Sequence, residues 1–127
     1  MELYIGGYAQ GKLSYVLKQT GITADRVVDA AAVFEGCGKA QAGIINHFHL
    51  LVRKLLKEGG DPEDMLEKMI QQNPKLIIIC DEVGNGIVPV DAEEREYRER
   101  LGRILCGLAE KAEKVERVIC GIGQRIK

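Results

Sequence analysis

Apolar positions fall into two patterns along this chain: short unbroken runs, and stripes spaced three and four apart. Leu3-Tyr4-Ile5 is a short run stopped by Gly6-Gly7, and it predicts a buried strand. Residues Gly11 to Gln19 predict a helix, with Gly21 as its stop. Arg26-Val27-Val28-Asp29 is a second strand candidate, β-branched residues ending on a carboxylate. Residues 30–43 are small, with Ala30-Ala31-Ala32, Gly36, Gly38 and Gly43, and no periodicity assigns them a conformation. Ile44 to Lys57 is apolar-rich and predicts a helix closed by Glu58-Gly59-Gly60. Asp61-Pro62 is a helix start, Asp61 as cap and Pro62 as first helical residue. Met65, Leu66, Met69 and Ile70 form its buried stripe, and Asn73-Pro74 ends it. Lys75 to Cys80 is the clearest strand, apolar on both faces as in a parallel sheet covered on both sides. A long helix is expected from about Asp91 to Lys114, with Asp91 and Glu94 resembling a capping box. Tyr97, Leu101, Ile104, Leu105, Leu108 and Ala112 share one of its faces. Val115 to Cys120 is the last strand, before Gly121 and a basic tail.

The resulting order, β-α-β-α-α-β-α-β, predicts an α/β sandwich with a mostly parallel sheet flanked by helices. With 127 residues the expectation is one domain over 1–127, large enough to bury a core unaided. Four strands make a small sheet, whose edges a second subunit could cover. No internal repeat or low-complexity linker interrupts the chain.

Composition then removes several function classes. The formal net charge is -1, so no strong field favours nucleic acid or an anionic membrane. There is no Trp, and four Tyr and two Phe are too few for a base-stacking platform. No apolar run approaches the ~20 residues of a membrane span. Met1 leads straight into strand and glycines, without the pattern of a signal peptide. Cys37, Cys80, Cys106 and Cys120 form no C-x-x-C pair, and Cys80 and Cys120 lie in apolar runs. The expectation is buried free thiols in a reducing, cytoplasmic setting.

Gly6-Gly7-Tyr8-Ala9-Gln10-Gly11-Lys12-Leu13 follows a predicted strand and precedes a predicted helix. It fits the phosphate-loop pattern G-x-x-x-x-G-K-[ST] up to its last position. Gly6, Gly7 and Gly11 let the backbone turn several N–H groups toward one phosphate. Lys12 brings positive charge, and the helix N-terminus faces the same place. Leu13 stands where the pattern asks for a hydroxyl that meets Mg²⁺. Ser14 is one residue on, about 100° around the helix. That makes it a poor direct replacement, though it stays among the candidate nucleotide contacts.

Two predicted strands end on acids, Asp29 and Asp81-Glu82. In a nucleotide-binding sheet such carboxylates lie near the phosphates and hold Mg²⁺ directly or through water, so Asp29 and Asp81 are candidate metal ligands. Capping a helix or turn is the alternative for both. Glu35 is an outlying candidate for the same task. His47 and His49 fall in the predicted 44–57 helix, where a spacing of two puts them on different faces. A structural role is expected for each, since no catalytic partner is visible in the sequence.

The stretch Asp81-Glu82-Val83-Gly84-Asn85-Gly86-Ile87-Val88-Pro89, followed by Arg98, Gly102-Arg103 and the Gly121-to-Lys127 tail, resembles the adenosylcobinamide kinase/adenosylcobinamide-phosphate guanylyltransferase family. The family carries N-E-V-G-x-G-I-V-P at this place, and its GGxxSGKS loop matches GGYAQGKLS in position and outline. The resemblance implies a RecA-like P-loop fold and a place in corrinoid (cobalamin) assembly. There a nucleoside triphosphate, GTP or ATP, phosphorylates cobinamide, and GTP then transfers GMP through a histidine. It implies a homo-oligomer, with Gly7, Gly11 and Lys12 as phosphate binders and Glu82 and Val83 as nucleotide-pocket residues. The family also has a strand and a histidine-bearing helix before its second acidic strand. This chain passes from Thr20-Gly21 to Asp25–Asp29 without room for them. Guanylyl transfer is therefore expected to be lost. The alternative expectation is a non-catalytic nucleotide- or corrinoid-binding paralogue with a regulatory or assembly role.

Overall fold

The computed structural model describes residues 1–30, 43–83 and 91–127. Glu35, Cys37 and residues 84–90 of the family-like string lie outside them. The described elements are β1 (Glu2–Gly6), α1 (Lys12–Thr20), a 3-10 turn (Ala24–Arg26), β2 (Val27–Asp29), β3 (Ile44–Asn46), α2 (Phe48–Lys57), α3 (Pro62–Gln72), β4 (Ile77–Asp81), α4 (Ala92–Lys111), β5 (Lys114–Ile119) and β6 (Ile122–Arg125). They form one six-stranded sheet in the order β2-β3-β4-β1-β5-β6. The first five strands are parallel, and β6 runs antiparallel to β5. This is the expected α/β architecture. No helix among the described residues is long and apolar enough to cross a membrane.

Strand alternation sorts the core into two layers. Leu3, Ile45, Ile78 and Cys80 face the larger layer, closed by Phe48, Leu51 and Val52 of α2, Leu66 and Met69 of α3, and Leu101, Ile104 and Leu108 of α4. Tyr4, Ile44, Ile77, Ile79 and Val118 face the other way, against Val16 of α1. The stripes predicted on α3 and α4 are thus core faces. Asp61 caps α3 as expected, accepting from the Glu63 and Asp64 backbone N–H groups at 3.1 and 3.2 Å.

Several expected elements differ. The 44–57 helix is two elements: Ile44–Asn46 is a strand, and the helix begins only at Phe48. Ile44 and Ile45 fill the sheet between β2 and β4, where β-branched side chains pack well. Their apolar run merges in sequence with the helical stripe of Phe48, Leu51 and Val52, which hides the boundary. The basic tail is also a strand. Cys120 and Gly121, with φ 51 and 74, make a two-residue turn that sends β6 back along β5. Cys120 is therefore exposed in that turn and not buried in a strand; Cys106 is exposed on α4, while Cys80 is buried. Asp91 does cap α4, accepting from the Glu93 N–H at 2.8 Å. Glu94 does not reach back to complete a capping box, because Arg53 of α2 holds its carboxylate at 2.8 Å.

Candidate functional site

The loop between β1 and α1 is shaped by close approach at one end and by left-handed backbone at the other. A Cβ on Gly6 would overlap the Val118 carbonyl oxygen, so the end of β1 can lie against β5 only without a side chain. Ala9 and Gly11 turn the chain with φ 55 and 81. Tyr8, at the tip, is 85% exposed. The β5–β6 turn braces this loop. The Cys120 N–H donates to Gln10 Oε1 at 2.7 Å, and the Gly121 N–H donates to the Gln10 carbonyl at 2.8 Å.

Helix α1 starts without a side-chain cap and without an acid in its first turn. Its N-terminal N–H groups therefore present positive potential that no residue of the helix cancels. Lys12, the first helical residue, is only 7% exposed. Its ammonium donates to the Gly7 carbonyl at 2.7 Å and pairs with Asp81 Oδ1 at 2.7 Å. The register explains the pair: Gly6 lies opposite Asp81 across β1 and β4. A buried ammonium is stable only with such partners.

The second Asp81 oxygen lies 3.5 Å from His49 Nε2, and the Asp81 N–H donates to His49 Nδ1 at 3.3 Å. Nδ1 is thus an acceptor, and the proton sits on Nε2, toward the carboxylate. Burial holds the His49 pKa below its ordinary value, against the opposing pull of Asp81. Burial likewise pushes the neighbouring Cys80 thiol up to about 12, with the Asp81 charge adding to it.

Across the sheet, Asp29 lies opposite Asn46 on β2 and β3. The next residue, His47, places Nδ1 2.8 Å from Asp29 Oδ2. The His47 and His49 rings meet edge to face with centroids 5.9 Å apart. They are neighbours because His47 precedes the helix instead of lying within it.

These groups line one cleft of about 350 Å³: Tyr8 to Ser14, Asn46, His47 and Asp81. Size does not single it out, since clefts of about 360 and 390 Å³ lie beside α2 at Arg53–Tyr97 and Leu55–Met69. Its chemistry does: a buried lysine, an uncapped helix start and the strand-end acid Asp81, where parallel α/β sheets bind ligands. Of the sequence candidates, Gly11, Lys12, Ser14 and Asp81 line it together. Gly6 and Gly7 do not line it; Gly6 packs against the Val118 carbonyl, and the Gly7 carbonyl accepts from Lys12. Leu13 lines it while packing on the smaller core layer. Glu82 and Val83 do not line it. Arg117 Nη2 and Nε hold Glu82 at 3.1 and 3.2 Å, and Val83 packs on the larger core layer. The sequence pattern points neither to Asn46, nor to a cleft position for His47, nor to the His49–Asp81 contact. Reading Ile44–Asn46 as a strand would have put Asn46 and His47 at a strand end beside Asp29.

No three His, Cys, Asp or Glu side chains among the described residues converge on one point. Asp81 faces Lys12 and His49, Asp29 holds His47, and Leu13 offers no oxygen. Among the described residues, this donor set does not fit a resident metal ion.

Comparison with known proteins decides the family. Residues 20–126 match the family model described as cobinamide kinase / cobinamide phosphate guanyltransferase. The chain belongs to that family. The matched residues begin at the end of α1, so the family assignment rests on β2 to β6 and α2 to α4, and not on β1 or the loop after it. Two bifunctional adenosylcobalamin biosynthesis proteins, CobU of Salmonella typhimurium strain LT2 and CobU of Escherichia coli strain K12, are each 42% identical to it over 53 residues. That stretch is 42% of this chain and 29% of each relative, so the chain spans well under half the length of the curated relatives it matches.

Proposed function

We propose that the β1–α1 cleft seats the phosphates of GTP or ATP, and that the chain performs the cobinamide-kinase half of its family's chemistry in cobalamin biosynthesis, without guanylyl transfer. The observation that carries this is Lys12. It is buried at an uncapped helix start, and its present partners, Gly7 and Asp81, occupy the position a phosphate oxygen would take. An incoming phosphate exchanges one anionic partner for another, so the ammonium is never left bare. Any Mg²⁺ that travels with the nucleotide is held chiefly by phosphate and water. Glu82 and Val83, just beyond Asp81, border the nucleotide on this reading. Self-association is also part of it, supported by the exposed Ile119, Ile122 and Ile126 at the β5–β6 edge.

Incubating the chain with GTP or ATP, Mg²⁺ and adenosylcobinamide tests the activity. Appearance of a corrinoid heavier by one phosphate is the expected result. Nucleotide binding without that product favours the second reading, a nucleotide-binding paralogue without turnover, which Leu13 supports by lacking a hydroxyl for the metal. Absence of both binding and product overturns the assignment.

A further inference from the structure

His47 lines the cleft but has no part in the reading above. Backbone geometry brings it to Asp29. Asp29 and Asn46 are register partners, so the chain reaches residue 47 beside that carboxylate. His47 then adopts φ 57 and ψ 43, a left-handed conformation uncommon for residues with a side chain. Such strain persists where the surroundings fix it, and it concentrates at functional sites. Helix α2 gains no cap from it, since the His47 side chain makes no hydrogen bond to the helix start.

What the conformation does achieve is an oriented imidazole. The carboxylate 2.8 Å from Nδ1 selects the tautomer with Nδ1–H donating and the lone pair on Nε2. The His49 ring backs it edge-on at 5.9 Å. Lys12, Ser14 and Asp81 line the same cleft. A base oriented by a third group, beside a seat for phosphate, is the arrangement that proton transfer during group transfer requires.

We propose that His47, oriented by Asp29, is the general base of this cleft, taking a proton from an acceptor hydroxyl as that oxygen attacks the terminal phosphorus of a nucleoside triphosphate. The proposal rests on the reading of the cleft as a phosphate seat. The acceptor O–P bond forms, and the bond from that phosphorus to its bridging oxygen breaks. The nucleoside diphosphate leaves with the bridging oxygen's electron pair. The proton remains on His47 Nε2, with Asp29 stabilising the imidazolium, until it passes to solvent. The acceptor class is an alcohol, with water as the slow substitute.

The informative variant is His47→Gly. Glycine is at ease at this φ, no cap is lost, and the gap left is the size of an imidazole. Transfer from GTP and ATP is measured to adenosylcobinamide and to water, with and without free imidazole, alongside nucleotide affinity by calorimetry. The expected result is a fall in kcat of about 10²–10⁴-fold, unchanged nucleotide affinity, and partial recovery with imidazole. Asp29→Asn lowers kcat less and is not rescued. If the wild-type chain binds no nucleotide, the phosphate-seat reading fails and His47 falls with it. If it binds nucleotide but transfers to neither acceptor, or if His47→Gly keeps wild-type kcat or is not rescued by imidazole, the base proposal alone is overturned. A phosphoryl or nucleotidyl adduct on His47 also overturns it, because the ring would then be a nucleophile.

Discussion

His49 is 8% exposed against Asp81 at the end of β4, and its neutral form is the one the fold accommodates. Its pKa is lowered by burial, so the unfolded chain binds a proton more readily than the folded one. Stability is therefore full above the ordinary value of 6.5 and falls as pH drops below it. Urea unfolding across that window should show this loss, and His49→Gln should flatten the slope there. A slope unchanged in His49→Gln would contradict the burial argument. Glu63 acts in a lower window. Arg100 holds it bidentately at 2.7 and 2.9 Å and lowers its pKa to about 2 from 4.5. That pair's contribution is present above pH 4.5 and lost as pH falls toward 2. The cysteines differ in the same residue-level way. Cys80, buried with its thiol pushed up to about 12, should resist alkylation in the folded chain, while Cys106 and Cys120 react. Peptide mapping after brief iodoacetamide treatment checks this; modification of Cys80 at the rate of the other two would count against its burial. The sequence suggested a buried Cys120 because Val118-Ile119 continues the apolar run, and nothing in composition marks the turn that exposes it.

At the scale of elements, the site depends on how tightly β1, α1 and the β5–β6 hairpin fit. Gly6 has no room for a methyl against the Val118 carbonyl. Gly6→Ala should cost about 1–3 kcal/mol by overpacking and displace the loop, read as a lower denaturation midpoint and weaker nucleotide binding together. A variant of wild-type stability would show that the strands separate freely there. Much of this layer was legible in the sequence. GGYAQGKL gave the strand, loop and helix, and Asp61-Pro62 and Asp91 gave two helix starts, because caps and glycines act locally. The strand Ile44–Asn46 was not legible, since two isoleucines before an amphipathic helix satisfy either period. Taken as one helix, residues 44–57 put His47 and His49 on separate faces. The contacts His47–Asp29 and His49–Asp81 come from register between strands, which sequence spacing does not encode.

For the molecule as a whole, the sheet order puts β1 between β4 and β5, so the loop after β1 meets Asp81 from one side and the hairpin from the other. The charged groups at the cleft pair with one another, Lys12 with Asp81 and His47 with Asp29. A ligand that binds only this folded state stabilises it by about 2.7 kcal/mol at a hundred times its Kd. Excess GTP or ATP should therefore raise Tm by several degrees, and an unmoved Tm at saturating nucleotide would speak against the site. The most direct test is calorimetric titration of the wild-type chain and Lys12→Ala with GTP and with ATP, each with and without Mg²⁺. Removing one partner of a buried pair destabilises by about 3–5 kcal/mol, so the doubly substituted Lys12→Ala, Asp81→Asn chain serves as the folded control. Hydrogen bonds to a charged group are each worth about 1.5–3 kcal/mol, so affinity should fall about tenfold or more when Lys12 is removed. Equal nucleotide affinity in the wild-type and lysine-less chains would contradict the account.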